Sequence, residues 1–301
     1  MNIIRMTGGL GNQMFQYALY LKLKSLGREV KMDDCTEYEG LNARPIMLWC
    51  FGISYPQASK REIKELTDGF MELHHRIRRK LFGRKSLEYM EQSCNFDQQI
   101  LIREPVYLTG YFQSEQYFKD IEEQVRSAFS FSDKIWEGLD KSLLERIKGY
   151  QRRIDESLAV SVHVRRGDYL ENEAAYGHIC TEAYYRKAIE FVRNKYPQAT
   201  FFFFSNEPQW VRKWLEKEYP KDLLFEVIEG TDEATGYFDL FLMSRCRHHI
   251  IANSSFSWWG GWLNPDKEKI VIAPSKWHNK QDYRDIYTEN MIKISDDGTM
   301  E

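Results

Sequence analysis

Nowhere in its 301 residues does the chain offer the roughly 18 consecutive apolar side chains that a membrane-spanning helix needs. Its longest apolar run, Phe201 to Phe204 with its neighbours, is the length of a strand. The opening Met1-Asn2-Ile3-Ile4-Arg5-Met6 reads as a short strand and lacks the apolar stretch of a secretory leader. Cysteine is scarce. Cys35, Cys50, Cys94, Cys180 and Cys246 are odd in number, widely spaced and without a Cys-x-x-Cys pair, which argues against both a disulfide framework and a zinc site. The histidine pairs His74-His75 and His248-His249 also lack metal-ligand spacing and read as structural or exposed. A net charge of −3 gives no global attraction to nucleic acid. There is no internal repeat and no low-complexity tract. What is left is a globular chain, 43% apolar and 15% aromatic, expected in the cytoplasm.

Two further absences concern phosphate chemistry. The first strand runs into Gly8-Gly9-Leu10-Gly11-Asn12-Gln13, but the dinucleotide pattern Gly-x-Gly-x-x-Gly fails at its third glycine, where Met14 stands. No Walker lysine follows. Asp33 is the one acidic residue near the end of a second strand and follows that strand closely, so a dehydrogenase is disfavoured. Nor does the chain contain an Asp-x-Asp, the motif with which metal-dependent sugar-nucleotide transferases hold a divalent ion on a pyrophosphate. Asp33-Asp34 and Asp296-Asp297 are adjacent pairs whose side chains diverge on either a strand or a helix. The expectation is therefore no metal and no cofactor, with cationic side chains and helix dipoles neutralising any leaving diphosphate.

What is present alternates. Ile3 to Met6 predicts a strand, Asn12 to Leu26 a helix stopped by Gly27, and Glu29 to Met32 a second strand. The second half repeats the pattern. Strands are predicted at 158–164, 201–204, 225–228, 249–252 and, as the last, 270–273, with helices at 181–196, 208–218, 237–246 and from 255 to 263 between them. Near-continuously apolar strands alternating with helices imply a doubly wound parallel α/β fold. The length suits two domains, 1–155 and 156–301, with the charged stretch 133–156 as a long solvated helix leading into the second.

Three segments carry candidate chemistry. In an open α/β sheet, ligands bind beyond the carboxyl ends of the strands. There the chain places His163-Val164-Arg165-Arg166-Gly167-Asp168-Tyr169. Adjacent arginines on extended backbone point to opposite sides, so one can face a ligand while the protein holds the other. Arginine matches phosphate with a planar fork that never loses its charge. The plainer reading is a salt bridge at a strand end, with Asp168 as the partner of Arg166. The second segment is the glycine turn 8–13, which also reads as an ordinary strand-to-helix turn. The third runs from Ile250 through Asn253-Ser254-Ser255-Phe256-Ser257 to Trp262, small hydroxyl residues at a helix start that attract anions. Ser254 or Ser255 there could equally be a simple N-cap, and Trp258, Trp259 and Trp262 read as core.

Together these pieces resemble glycosyltransferase family 11, the α-1,2-fucosyltransferases, in its bacterial branch. The matching segments are Gly8 to Tyr17, His163 to Tyr169, Phe204-Ser205-Asn206-Glu207 before Trp210, and Ala252 to Trp262 with the upstream Asp239, in that order along nearly the whole chain. The resemblance implies two Rossmann-like domains facing a cleft in the GT-B manner, the C-terminal one binding the nucleotide donor. It implies inverting transfer of L-fucose from GDP-β-L-fucose to the 2-hydroxyl of a terminal galactose. Arg165 would contact the β-phosphate, and His163 and Asp239 the guanine and ribose end. Asn253, Ser254, Ser255, Phe256 and Ser257 would line the phosphate pocket. Asn12 looks like an asparagine placed near the reacting centre. For the base, Glu173 before Ala174-Ala175 matches the more distant α-1,6-fucosyltransferases, with Asp168 and Asn12 as rivals.

The acceptor implied is a galactose-terminated oligosaccharide or lipid-linked glycan. The basic stretch His74 to Lys85 is either a solvated helix or a surface resting on the inner face of an anionic membrane. Alternatives are a GDP-sugar transferase of another donor or linkage and a non-catalytic GDP-sugar-binding module. Ligand-type loops in both halves speak against a simple binding module.

Overall fold

The computed structural model describes residues 1–36, 44–167, 172–219 and 223–301. The chain divides into two compact units, Met1–Ser132 and Asp133–Glu301.

The first unit carries four parallel strands: β1 (Asn2–Arg5), β2 (Val30–Asp33), β3 (Glu88–Met90) and β4 (Val106–Thr109), in the order β2-β1-β4-β3. The helix Leu10–Ser25 follows β1 and buries Met14, Phe15, Ala18, Leu19 and Leu23. Spacings of three, four and five residues give it the wide apolar face that a helix on a sheet requires. β3 and β4 escape the sequence pattern, since each is only three or four residues long and the Glu88-Tyr89-Met90 edge is largely exposed. Asp33, the acidic residue weighed in the dehydrogenase reading, is fully buried at the end of β2. Tyr107 donates to it at 2.6 Å, as does the Thr36 hydroxyl. Burial opposes its charge, but these hydrogen bonds outweigh burial and hold the carboxyl below its ordinary value.

The second unit carries six parallel strands: β5 (Ala159–Val164), β6 (Thr200–Ser205), β7 (Phe225–Val227), β8 (His248–Ile250), β9 (Val271–Pro274) and β10 (Met291–Ile294). Their order is β10-β9-β8-β5-β6-β7. The chain winds outward from β5 through β6 to β7, then returns to the other side of β5 for β8, β9 and β10. Val160, Val162 and Val164 face Tyr184, Ile189, Val211 and Leu215 from the helices Glu182–Lys195 and Pro208–Glu218. Ser161 points the other way and bonds its β8 neighbour His249 at 2.8 Å. Trp258, Trp259 and Trp262 are buried core, and the Trp258 indole donates to the Ile286 carbonyl at 2.7 Å. The paired His248 and His249 are both buried, with pKa values pushed down by burial. β10 corrects the expectation that 270–273 is the last strand. Its Met-Ile-Lys-Ile is a half-exposed edge, too short and mixed to read as core.

The helix Lys141–Asp155 falls within the second unit, where the sequence placed it before a boundary near 156. It buries Ile147, Tyr150 and Ile154 along one face, and Gly149 is buried as well. Arg153 grips Glu226 of β7 with two bonds of 2.7 Å, and Arg245 grips Asp155 at 2.9 and 2.8 Å. Ile147→Ala should therefore lower the unfolding free energy of the second unit by about 2–5 kcal/mol, as large-to-small changes at buried sites do. Denaturant unfolding followed by tryptophan fluorescence measures this, and an unchanged transition would place the helix outside that unit's core.

Candidate functional site

A sheet whose winding reverses leaves a gap beyond the carboxyl ends of the two strands at the reversal, because the crossovers on either side lead away from each other. In the second unit those strands are β5 and β8, which pair directly. The end of β5 and the loop after it carry His163-Val164-Arg165-Arg166-Gly167, and the loop after β8 with the helix start that follows carries Asn253 to Ser257.

The first loop is braced from β6. Arg166 Nε donates to Glu207 Oε2 at 3.0 Å, and the Gly167 amide donates to Glu207 Oε1 at 2.9 Å. The Arg166 amide donates to Asn206 Oδ1 at 3.0 Å, and the guanidinium lies 3.7 Å from the centre of the Trp210 ring. Arg166 thus pairs with Glu207, 41 residues on. Asp168, its partner in the sequence reading and a candidate base, lies outside the described residues, as does Tyr169. Gly167 has φ +55, and a Cβ there would come within 2.7 Å of Asn206 Nδ2, so the position favours glycine. Arg165 is half-buried and close enough to be felt by His163.

His163 is buried with no hydrogen-bond partner for Nδ1 among the described residues, and its ring lies 6.0 Å from that of Phe256. Burial, reinforced by the Arg165 charge, pushes its pKa down to about 3. The imidazole is therefore neutral at physiological pH, with one nitrogen able to donate and the other to accept.

Beyond β8, Ser254 is the N-cap of the helix Ser255–Leu263, yet its side chain makes no capping bond. Ser257 is buried, and its hydroxyl donates weakly to the Ala252 and Ser254 carbonyls at 3.4 and 3.3 Å. Asn253 donates to the Trp277 carbonyl at 3.1 Å and accepts from the Cys180 thiol at 3.5 Å. Its amide braces the loop. Ser255 and Phe256 are partly exposed at the helix start. Asp239 opens the helix Tyr237–Arg245 and accepts from the Thr231 hydroxyl at 2.9 Å. Desolvation of its carboxyl raises the pKa to about 7, against the lowering effect of that bond.

Glu173 begins the short helix Glu173–Tyr176 with an exposed carboxylate paired to an exposed His178. Asn279 ties this turn down, donating to the Glu173 and Gly177 carbonyls at 3.3 and 3.0 Å.

The first unit has its own reversal, between β1 and β4. Gln16 accepts from the Thr7 amide at 3.0 Å and donates to the Gly110 carbonyl at 2.9 Å, joining the loops after β1 and β4. Gln113 donates to Asn12 Oδ1 at 2.8 Å across the same gap. Gln13 is buried and bonds Gly8, Pro45 and Met47. The polar side chains of the Gly-Asn-Gln turn are thus braces, and Asn12, half-buried and held by Gln113, is the member left near the surface. Sequence reasoning missed Gln113 and Glu91. The Glu91 carboxylate accepts from the Tyr111 and Phe112 amides at 2.8 and 3.0 Å and holds buried Phe112 at φ +54, a left-handed backbone rare for an aromatic. Burial raises the Glu91 pKa to about 7, against these bonds.

Among the described residues no group of three or more His, Cys, Asp and Glu side chains is arranged to hold a metal ion. No described helix is long and apolar enough to cross a membrane.

Residues 83–295 match the model of glycosyl transferase family 11. An alpha-1,2-colitosyltransferase of Escherichia coli is 31% identical over 288 residues, covering 93% of both chains. The O-antigen biosynthesis glycosyltransferase WbnK of Escherichia coli is 29% identical over 294 residues, covering 90% of this chain and 93% of its own. Galactoside alpha-(1,2)-fucosyltransferase 1 of Saimiri boliviensis boliviensis is 30% identical over 158 residues, 52% of this chain and 42% of that one. Among solved structures, a mutant Arabidopsis thaliana FUT1 in complex with GDP superposes with a TM-score of 0.52 at 11% identity, over 90% of this chain and 70% of that one. That likeness speaks to the fold.

Because Glu207 alone receives both Arg166 and the Gly167 amide, Glu207→Ala should loosen the loop. Hydrogen exchange at Gly167 should accelerate about 10- to 100-fold, the effect of losing a hydrogen bond to a charged group. Unchanged exchange would mean the loop is held by something else.

Proposed function

The chain belongs to glycosyltransferase family 11, and from that premise we propose that it transfers L-fucose from GDP-β-L-fucose to the 2-hydroxyl of a terminal galactose, inverting the anomeric centre without a metal ion. The observation that carries this reading is the pairing of two loops, 163–167 and 253–257, on either side of the winding reversal in the second unit.

A sugar nucleotide reacts by breaking the bond between its anomeric carbon and the β-phosphate, so charge builds on the diphosphate as the bond opens. With no Asp-x-Asp in the sequence, neutralisation falls to Arg165 and to the amide-rich start of the helix Ser255–Leu263, including Ser254, Ser255, Phe256 and Ser257. Arg166 is the held partner of the pair. His163, neutral, suits a sugar or base hydroxyl or ring nitrogen. Asp239, ionised, suits the adjacent N–H groups of guanine. The acceptor proton passes to a nearby base as the new bond forms. Glu173 is the candidate whose surroundings are described, an exposed carboxylate beside His178. Asn12 in the first unit is the candidate for orienting the reacting sugar.

A second donor has a specific observation in its favour, the relative named for colitosyl transfer. Colitose lacks one hydroxyl of fucose. A site that hydrogen-bonds that hydroxyl would reject the deoxy sugar by a factor of about 10⁴, whereas an apolar pocket would scarcely discriminate. The acceptor proposed is a galactose-terminated oligosaccharide or lipid-linked glycan, in keeping with the relatives' names.

Incubation with each donor and a panel of galactose-terminated oligosaccharides, followed by mass spectrometry and linkage analysis, tests the reading. A 1,2-linked fucosyl product with inverted configuration is the expected result, and another donor or linkage would replace it. Arg165→Ala should lower turnover about 10²-fold or more, as removal of a main stabiliser of developing charge does. A near-normal rate would remove Arg165 from the role. Activity should survive EDTA.

Asp239 gives a pH signature. Its folded pKa of about 7 lies above its ordinary 3.8, so between these values the folded chain keeps a proton that the unfolded chain releases. Its contribution to stability is therefore lost as pH rises through 7, while its ability to accept from guanine is gained. Asp239→Asn should melt at a higher temperature than the parent at pH 8. It should also bind GDP about tenfold or more weakly there, by calorimetry, with little change between pH 6 and 8. Parental GDP affinity in the variant would sink the guanine assignment.

A further inference from the structure

The helix Leu73–Phe82 in the first unit buries none of its residues, an unusual condition for an apolar-bearing helix in a folded unit. One side is fixed to the protein. Arg78 and Arg79 both pair with Asp68, and Arg79 also donates to the Asp68 and Phe70 carbonyls at 3.0 and 2.7 Å. His75 stacks on Phe70 with ring centres 4.8 Å apart. These three residues share one face and are the partly covered ones.

Fixing that face turns the opposite one outward. At about 100° per residue, Leu73, Ile77 and Leu81 fall within about 80° of one another as a single stripe. They are 69%, 51% and 69% exposed. Met71 before the helix and Phe82 at its end are 71% and 74% exposed. The exposed cations Arg76 and Lys80 run along one border of the stripe, and Arg84 and Lys85 follow its end. From Leu73 to Lys85 there are six Lys and Arg and no Asp or Glu, in a chain whose net charge is −3. The local excess is thus set against the average of the molecule.

We infer that this helix docks the protein on the surface of an anionic phospholipid bilayer, with Leu73, Ile77 and Leu81 entering the boundary between headgroups and acyl chains and Arg76 and Lys80 against the phosphates. The charge decides the occupant. A second copy of this chain would set the exposed cations Arg76, Lys80, Arg84 and Lys85 against the same four, and an apolar groove on another protein would leave Arg76 and Lys80 without counter-charge. An anionic bilayer satisfies the apolar stripe and its cationic border at once. The inference does not depend on which sugar is transferred.

Flotation of the full chain with phosphatidylcholine vesicles, with and without phosphatidylglycerol, tests it. The chain should float with the anionic vesicles at low salt and be released from them as salt rises. Arg76→Gln with Lys80→Gln should weaken partition about 25-fold, roughly fivefold per cation. Leu73→Ser with Ile77→Ser and Leu81→Ser should weaken it at least about tenfold. Both variants alter exposed side chains, so circular dichroism and transfer to a small soluble acceptor should match the parent within about twofold. A chain that stays with the solvent beside anionic vesicles overturns the inference and leaves the transferase reading untouched. So does partition that neither set of substitutions changes. A dimer in sedimentation that the serine variants dissolve, with no vesicle binding, reassigns the stripe to self-association.

Discussion

β5 is the strand on which the second unit depends. All six of its residues are buried, and it is hydrogen-bonded on one side to β6 and on the other to β8. A strand with both edges paired cannot shift register without breaking two ladders, so the residues at its carboxyl end are fixed by the core beneath them. Tyr185 strengthens this by donating to the His163 carbonyl at 2.9 Å. Because the chain leaves β5 in one direction and returns to it from the other, the end of β5 lies beside the end of β8. The positions of His163 and Asn253 then follow from the winding alone.

Charge at that end is distributed by environment. Two arginines stand side by side, and Arg166 is the one tied to Glu207 and Trp210. A histidine and an aspartate are both driven towards their uncharged forms by desolvation, the first fully and the second to the edge of neutrality. The outcome is a site where Arg165 stands beside a neutral His163 and an Asp239 that titrates near neutrality. In a partly desolvated setting a single cation acts more strongly on a developing diphosphate charge than it would in water. At the first unit's own reversal, amide side chains of Asn12, Gln16 and Gln113 join two loops.

Much of this was legible in order but not in partnership. Phe201 to Phe204 and Val160 to Val164 declared themselves as buried strands because every residue but His163 is apolar or small, and the glycine turn and the run from Ile250 to Trp262 declared the loops. β3, β4 and β10 did not, since a strand of three or four residues is too short to show a period. The helix Lys141–Asp155 looked solvated because its buried residues are few, and only packing reveals which unit it joins. Glu207 appeared as one letter of a motif. Its bond to Arg166 crosses 41 residues, a distance at which sequence carries no geometric information. Glu91 gave no signal, because a carboxylate holding two backbone amides looks in sequence like any surface glutamate.

The stacking of Arg166 on Trp210 has an optical side. Trp210 lies under the guanidinium at 3.7 Å and is stacked on Trp214 with ring centres 6.0 Å apart. The emission of an indole responds to a charge over its ring and to a parallel neighbour. The loop after β5 therefore rests on a chromophore of the helix Pro208–Glu218, and any event that lifts Arg166 from Trp210 changes the light the protein emits, with no label attached.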